Sequence, residues 1–215
     1  MLPNMPALTE ASAKIVAAIN RILTHHSPIL VALDGGSGAG KSTLASLLAN
    51  EVDSVVVQLD NFFSANIPDW EWDSRSVQEK VRDVFDWNRL RTSAIEPLLA
   101  NQTARWYPFD FGAGLRSDGT YALSHQAVEK QPAPVIILEG AYSSNPEIAD
   151  LIDLTVLIDV SVPERHQRLE KREGDKHFLQ RWHTLWDEVE GYYFSEVMPE
   201  SAFDVVVSGS STPRT

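Results

Sequence analysis

Residues 35–42 read Gly-Gly-Ser-Gly-Ala-Gly-Lys-Ser, which fits G-x-x-x-x-G-K-[ST], between an apolar strand-like run and a helix-forming run. Glycines at this spacing let backbone N–H groups turn inward around a phosphate, and the following helix presents its positive N-terminal end to the same anion. The nucleotide-binding set this predicts is Gly35, Gly36, Ser37, Gly38, Ala39, Gly40, Lys41, Ser42 and Thr43. Lys41 would reach the β- and γ-phosphates of a nucleoside triphosphate, and the Ser42 hydroxyl would ligate Mg²⁺. The motif leaves the reaction open, because GTPase switches, motor ATPases and small-molecule kinases share it.

Carboxylates that end apolar runs are the next candidates, since ligands in open parallel sheets bind beyond the carboxyl ends of the strands. Asp60 closes VVVQLD, Glu139 closes VIILEG, and Asp159 stands near the end of TVLIDV. Asp60 has the chemistry of a proton acceptor for a substrate hydroxyl; its bland alternative is a strand-end aspartate that caps the next turn. Glu139 offers the hard oxygen that Mg²⁺ prefers, against the alternative of a solvated turn glutamate. Asp34 and Asp159 read as backbone-capping residues. Arg165, Arg168 and Arg172 fall at i, i+3 and i+7, on one helical face. Such a face can close over phosphates, although Glu164, Glu170, Glu173 and Asp175 beside it also fit a salt-bridged surface helix.

These residues need a frame. Apolar runs at 29–33, 55–59, 135–138, 155–160 and 203–207 are rich in Val, Ile and Leu, as strands buried on both faces require. Segments 41–51, 76–85, 87–100, 163–172 and 178–194 are long enough for crossover helices, and 9–23 forms an amphipathic first helix. The expectation is an α/β fold, a P-loop three-layer α/β/α sandwich with a five-stranded, mostly parallel sheet and a helical lid over about 164–182. Residues 1–209 would form one domain, with a β-hairpin or ordered acceptor-site loop inserted at 104–124 and a disordered tail at 210–215.

Composition narrows the partners. With 18 Lys and Arg against 30 Asp and Glu, the 215-residue chain carries a formal charge of −12, which argues against nucleic acid and anionic membranes. Cysteine is absent, so thiol nucleophiles, thiolate metal sites and disulfides are excluded. No apolar stretch is long enough to span a membrane, the first 23 residues lack the pattern of a signal peptide, and a cytoplasmic location is expected. The six histidines show no metal-ligand spacing, and His166, His177 and His183 read as solvated side chains in or near the lid. Basic charge concentrates at Arg165, Arg168, Lys171, Arg172, Lys176 and Arg181, which suits a small polyphosphate ligand.

Taken together, GGSGAGKST, LDNFF (59–63), FDWNRLRTSAIEPLLANQTARWYPFDF (85–111), ILEGAYS (137–143), DLTVLIDV (153–160), ERHQRLEKRE (164–173) and FDVVVSG (203–209) resemble the uridine kinase and phosphoribulokinase-like family, which includes nicotinamide riboside kinases. The resemblance covers roughly residues 28–209. It implies ATP and Mg²⁺, with Asp60 as general base beside a catalytic Lys41, Glu139 orienting Mg²⁺, and a lid on which Arg168 and Arg172 act in catalysis and Arg165 touches substrate. Phe109 falls where such kinases place a substrate-contacting tyrosine, and Phe63, in the paired aromatics after the aspartate, is a second expected substrate contact. The family's substrate-contacting histidine falls near Gly114, and the choice between Asp73 and Asp83 for a sugar-binding carboxylate stays open. The expected activity is phosphoryl transfer to a hydroxyl of a small nucleoside-like or sugar-bearing metabolite, with a homo-oligomer left open. The rivals are a P-loop regulatory module and a kinase-like protein without turnover; the guanine-reading N-K-x-D tetrapeptide of a GTP switch is missing.

Overall fold

The computed structural model describes residues 5–173 and 176–210. Residues 174–175 of the expected lid and 211–215 of the expected tail lie outside the described residues. The chain runs α1 (Met5–Leu23), β1 (Ile29–Asp34), α2 (Lys41–Glu51), β2 (Ser54–Gln58), α3 (Val77–Asp83), α4 (Trp87–Leu90), α5 (Glu96–Leu99), β3 (Ala104–Trp106), β4 (Val128–Lys130), β5 (Val135–Glu139), β6 (Leu154–Asp159), α6 (Val162–Glu173), α7 (Lys176–Tyr192) and β7 (Val205–Ser208). β2, β5, β1, β6 and β7 lie side by side in that order and are all parallel.

Strand residues alternate between two buried cores because successive side chains point to opposite faces. Ile29, Val31 and Leu33 join Ile15, Ile19, Leu44 and Leu48 from α1 and α2 on one face. Leu30, Ile136 and Leu138 join Leu90, Leu98, Trp186 and Val189 on the other. Each fully buried Leu, Ile or Val contributes about 1.5–3 kcal/mol of hydrophobic stabilisation, so the sheet is fixed from both sides. The expected three-layer sandwich is the observed one.

Local differences have local causes. The helix expected over 87–100 is interrupted by a wide turn at Arg91–Ile95, where Pro97 has no N–H to continue the regular i→i−4 ladder. α3 begins at a capping box: the Glu79 backbone N–H donates to Ser76 and the Ser76 N–H donates to the Glu79 carboxylate. The inserted segment is wider than the expected 104–124. β3 pairs antiparallel with β4, Trp106 opposite Val128, and the loop between them is held by a bridge from Phe109 to Leu123. Among the described residues no helix is long and apolar enough to cross a membrane.

Sheet register prepares the functional edge. Glu139 stands opposite Leu33 of β1 and Gln58 of β2. The ends of β1, β2 and β5 are therefore level, and Asp34, Asp60 and Glu139 converge at one edge.

Candidate functional site

The loop between β1 and α2 forms the rim of that edge. Gly38 and Gly40 adopt left-handed φ values of +83° and +100°, and a Cβ on Gly38 would stand 2.7 Å from the Arg165 carbonyl oxygen. A side chain is disfavoured by conformation at both glycines and by space at Gly38. Gly40 caps α2, so the helix N-terminus with Lys41, Ser42 and Thr43 in its first turn points into the loop. The Lys41 ammonium donates to the carbonyl oxygens of Gly35 at 2.8 Å and Gly36 at 3.1 Å. That keeps its charge at the mouth of the loop.

Beneath the loop the Ser42 hydroxyl donates to Glu139, 3.1 Å from each carboxylate oxygen. Glu139 is 7% exposed, and burial pushes its carboxyl up; Lys41 pulls it down, Asp60 pushes it up again, and the Ser42 hydrogen bond lowers it. Asp60 sits in a single turn at Leu59–Phe62, just past β2 and not within it. It keeps an exposed face, yet the protein packed around it raises its carboxyl, against the lowering effects of Lys41 and then Arg172. Asp60, Glu139, Lys41 and Arg172 thus share one electrostatic field. Two carboxylates, one hydroxyl and two cations suit a metal-assisted polyphosphate site, and the all-oxygen pair Ser42 and Glu139 fits the preference of Mg²⁺.

Asp34 is fully buried and serves as scaffold. Its two oxygens accept from the N–H groups of Gly35 (2.7 Å), Tyr142 (2.9 Å) and Ser144 (2.9 Å) and from the Tyr193 hydroxyl (2.8 Å). Tyr142 has a left-handed φ of 70°, and Asp34 holds this turn directly after Glu139. The capping role expected for Asp34 is the one observed.

The three arginines separate. Arg165, expected to touch substrate, is 8% exposed and pairs with Glu190 at 2.7 Å while donating to the Ser37 carbonyl at 3.0 Å. Its guanidinium braces the loop from within the protein. Arg168 donates to the carbonyl oxygens of Gly38 (3.3 Å), Ala39 (3.1 Å) and Gly209 (2.6 Å) and pairs with Glu164 at 2.8 Å, so it ties α6 to the loop backbone. Arg172 is the one of the three whose charge acts on Asp60. Glu190, which nothing in the sequence pattern singles out, accepts from the Ser37 N–H at 2.9 Å and the Ser37 hydroxyl at 2.6 Å.

Aromatic rings wall the other side. Phe63 packs against Phe109 with centroids 5.7 Å apart, and Phe109 against Phe111 (4.6 Å) and Tyr121 (5.0 Å). Phe109 is buried while Phe111 is 63% exposed. Arg89 joins this wall to Asp60's turn by donating to the carbonyl oxygens of Asn61 (3.1 Å), Phe63 (3.2 Å) and Tyr107 (2.9 Å). Asp83 is held between Arg75 and Arg82, and the Arg82 hydrogen bond is the main cause that lowers its carboxyl. Asp73 lies exposed. Asp69 accepts from the Tyr121 hydroxyl at 2.7 Å and from Arg181 at 2.8 Å, linking the inserted loop to α7. Burial and Asp69 push the Tyr121 hydroxyl up to about 12.

The chain matches no protein-family profile. Individual proteins do match: a uridine kinase of Borrelia garinii subsp. bavariensis is 30% identical over 165 residues, 76% of this chain and 74% of that one. A uridine kinase of Lactiplantibacillus plantarum is 27% identical over 179 residues, 81% of this chain and 79% of its own. Among solved structures, that of a possible uridine kinase from Bacillus stearothermophilus superposes with a TM-score of 0.66 at 18% identity, over 92% of this chain and 99% of that one. A D-glycerate 3-kinase from Cryptococcus neoformans does so with a TM-score of 0.55 at 13% identity, over 94% and 95%. With 30% identity to the Borrelia protein over 76% of its own length, the chain belongs to the uridine kinase-like family of P-loop kinases.

Proposed function

We propose that the protein is a Mg²⁺-dependent kinase that moves the γ-phosphoryl group of ATP to a hydroxyl of a small nucleoside-like or sugar-bearing metabolite. The observation that carries this reading is the convergence of Lys41, Ser42, Glu139 and Asp60 at one sheet edge, with Asp60 exposed and in the field of Lys41 and Arg172.

Residues 35–43 wrap the triphosphate. Ser42 and Glu139 hold Mg²⁺, which supplies neutralisation of phosphate charge when bound. The acceptor hydroxyl oxygen bonds to the γ-phosphorus, the bond from that phosphorus to the bridging oxygen breaks, and ADP leaves with the electron pair. Asp60 takes the hydroxyl proton, and Lys41 and Arg172 balance the charge that spreads over the phosphoryl oxygens. The exposed face of Phe111, backed by Phe63 and Phe109, offers a flat apolar surface to the acceptor, and the relatives named uridine kinases favour an acceptor of nucleoside type.

Purified protein with Mg-ATP and a panel of nucleosides, ribosides, glycerate and sugars tests this, read as ADP release and as a mass increase of one phosphoryl group on the acceptor. A nucleoside that stimulates ADP release and gains the phosphoryl group supports the reading. ATP binding without stimulation by any acceptor contradicts it.

A further inference from the structure

His166 on α6 and His183 on α7 are 17 positions apart, so no ligand spacing is visible in the sequence. The fold brings their rings together with centroids 3.9 Å apart and planes tilted by 43°. Asp187, one helical turn after His183, faces both rings. Its Oδ1 lies 3.2 Å from His183 Nδ1 and 3.4 Å from His166 Nε2, and its Oδ2 lies 3.2 Å from His166 Nε2. All three ligand-type atoms lie within 4.8 Å of one another, the one such cluster among the described residues.

These spacings have a chemical meaning. A cation bound tetrahedrally by nitrogen and oxygen at about 2.0–2.1 Å holds its ligands roughly 3.3 Å apart, so the two nitrogen to carboxylate distances already match ligand edges. The two imidazole nitrogens lie within 4.8 Å of each other. The side chains are partly exposed, 30% for His166, 23% for His183 and 39% for Asp187, which leaves an entry path and an outer position for water. Two imidazoles and one carboxylate are a borderline-soft donor set that selects Zn²⁺-class ions over Mg²⁺, which takes oxygen ligands.

We propose that His166, His183 and Asp187 form a binding site for a divalent transition-metal cation of the zinc class, separate from the oxygen site at Ser42 and Glu139. The bound ion cross-links α6 to α7. α6 carries Arg168 and Arg172, and Glu190, which grips Ser37, lies three residues beyond Asp187 on α7. The cation therefore fixes the arginine helix relative to the phosphate loop without entering the reaction.

The test uses the untagged full chain, titrated with zinc chloride by calorimetry in millimolar Mg²⁺ and with Co²⁺ by visible absorption and by broadening of imidazole proton signals. The expected result is one saturable equivalent that Mg²⁺ does not displace, tetrahedral Co²⁺ bands, and broadening at the His166 and His183 rings. His166→Gln, His183→Gln and Asp187→Asn are each expected to weaken binding by about tenfold or more, whereas His26→Gln, at an exposed histidine paired with Asp153, leaves it unchanged. The Co²⁺ experiment on the unaltered protein decides the matter even if a variant folds poorly. No stoichiometric binding, displacement by Mg²⁺, or broadening confined to other histidines overturns the proposal and leaves the cluster as two imidazoles hydrogen-bonded to one carboxylate.

Discussion

Glu190 accepts hydrogen bonds from both the backbone N–H (2.9 Å) and the hydroxyl (2.6 Å) of Ser37, which lies 153 residues earlier in the chain. Its other oxygen meets Arg165 at 2.7 Å, and Arg165 returns to the Ser37 carbonyl at 3.0 Å. The phosphate loop is thus clamped to α6 and α7 through a buried ion pair.

Removing one member of such a pair leaves the other as an uncompensated buried charge. Glu190→Ala is expected to cost about 3–5 kcal/mol of stability, and Glu190→Ala with Arg165→Met to cost less than Glu190→Ala alone. Urea denaturation of the two variants checks the order. Equal costs would show that the pair does not act as a unit.

The clamp marks where sequence reading stops. The phosphate loop is legible because its glycines, Lys41 and Ser42 are contiguous and bounded by a strand and a helix. Asp60 and Glu139 are legible because apolar runs announce strand ends, and parallel strands in register bring such ends together. Glu190, Arg89 and Asp69 are polar residues whose partners lie far away in the chain, so only tertiary docking gives them a role. The spacing of Arg165, Arg168 and Arg172 defines a helical face but not what that face touches. Arg165 and Arg168 turn out to hold the protein's own carbonyl groups, while Arg172 acts on Asp60. The pairing of β3 with β4 was hidden because Val128–Lys130 is too short and mixed to read as a strand.

Glu139 sets function against stability. Burial, more than any other cause, raises its carboxyl in the folded state above the ordinary glutamate value of about 4.5. The folded form therefore holds the proton more tightly than the unfolded chain, and ionisation opposes folding as pH rises through and beyond the ordinary range. Glu139→Gln is expected to gain about 0.5–2 kcal/mol at pH 7 while losing Mg²⁺-dependent turnover, with the gain shrinking as the pH falls towards about 4.5. Denaturation midpoints at the two pH values check the sign; a variant less stable at neutral pH would contradict it.

Arg172 is expected to control the acid limb of the rate profile. Asp60 accepts a proton only when ionised, burial raises its carboxyl, and Lys41 and Arg172 lower it. Arg172→Gln should therefore move the acid limb of kcat/KM to higher pH, and Arg172→Lys should keep most of the original profile. A limb that stays in place in Arg172→Gln would separate this arginine from Asp60.

The central claim, that Asp60 is the base of a phosphoryl transfer run on this P-loop, is tested most directly by Asp60→Asn. Turnover of the best acceptor and ATP affinity are measured on the same preparation. The expected result is a fall in kcat of about 10²–10⁴-fold with ATP affinity changed by less than about threefold. Undiminished turnover in Asp60→Asn would contradict it.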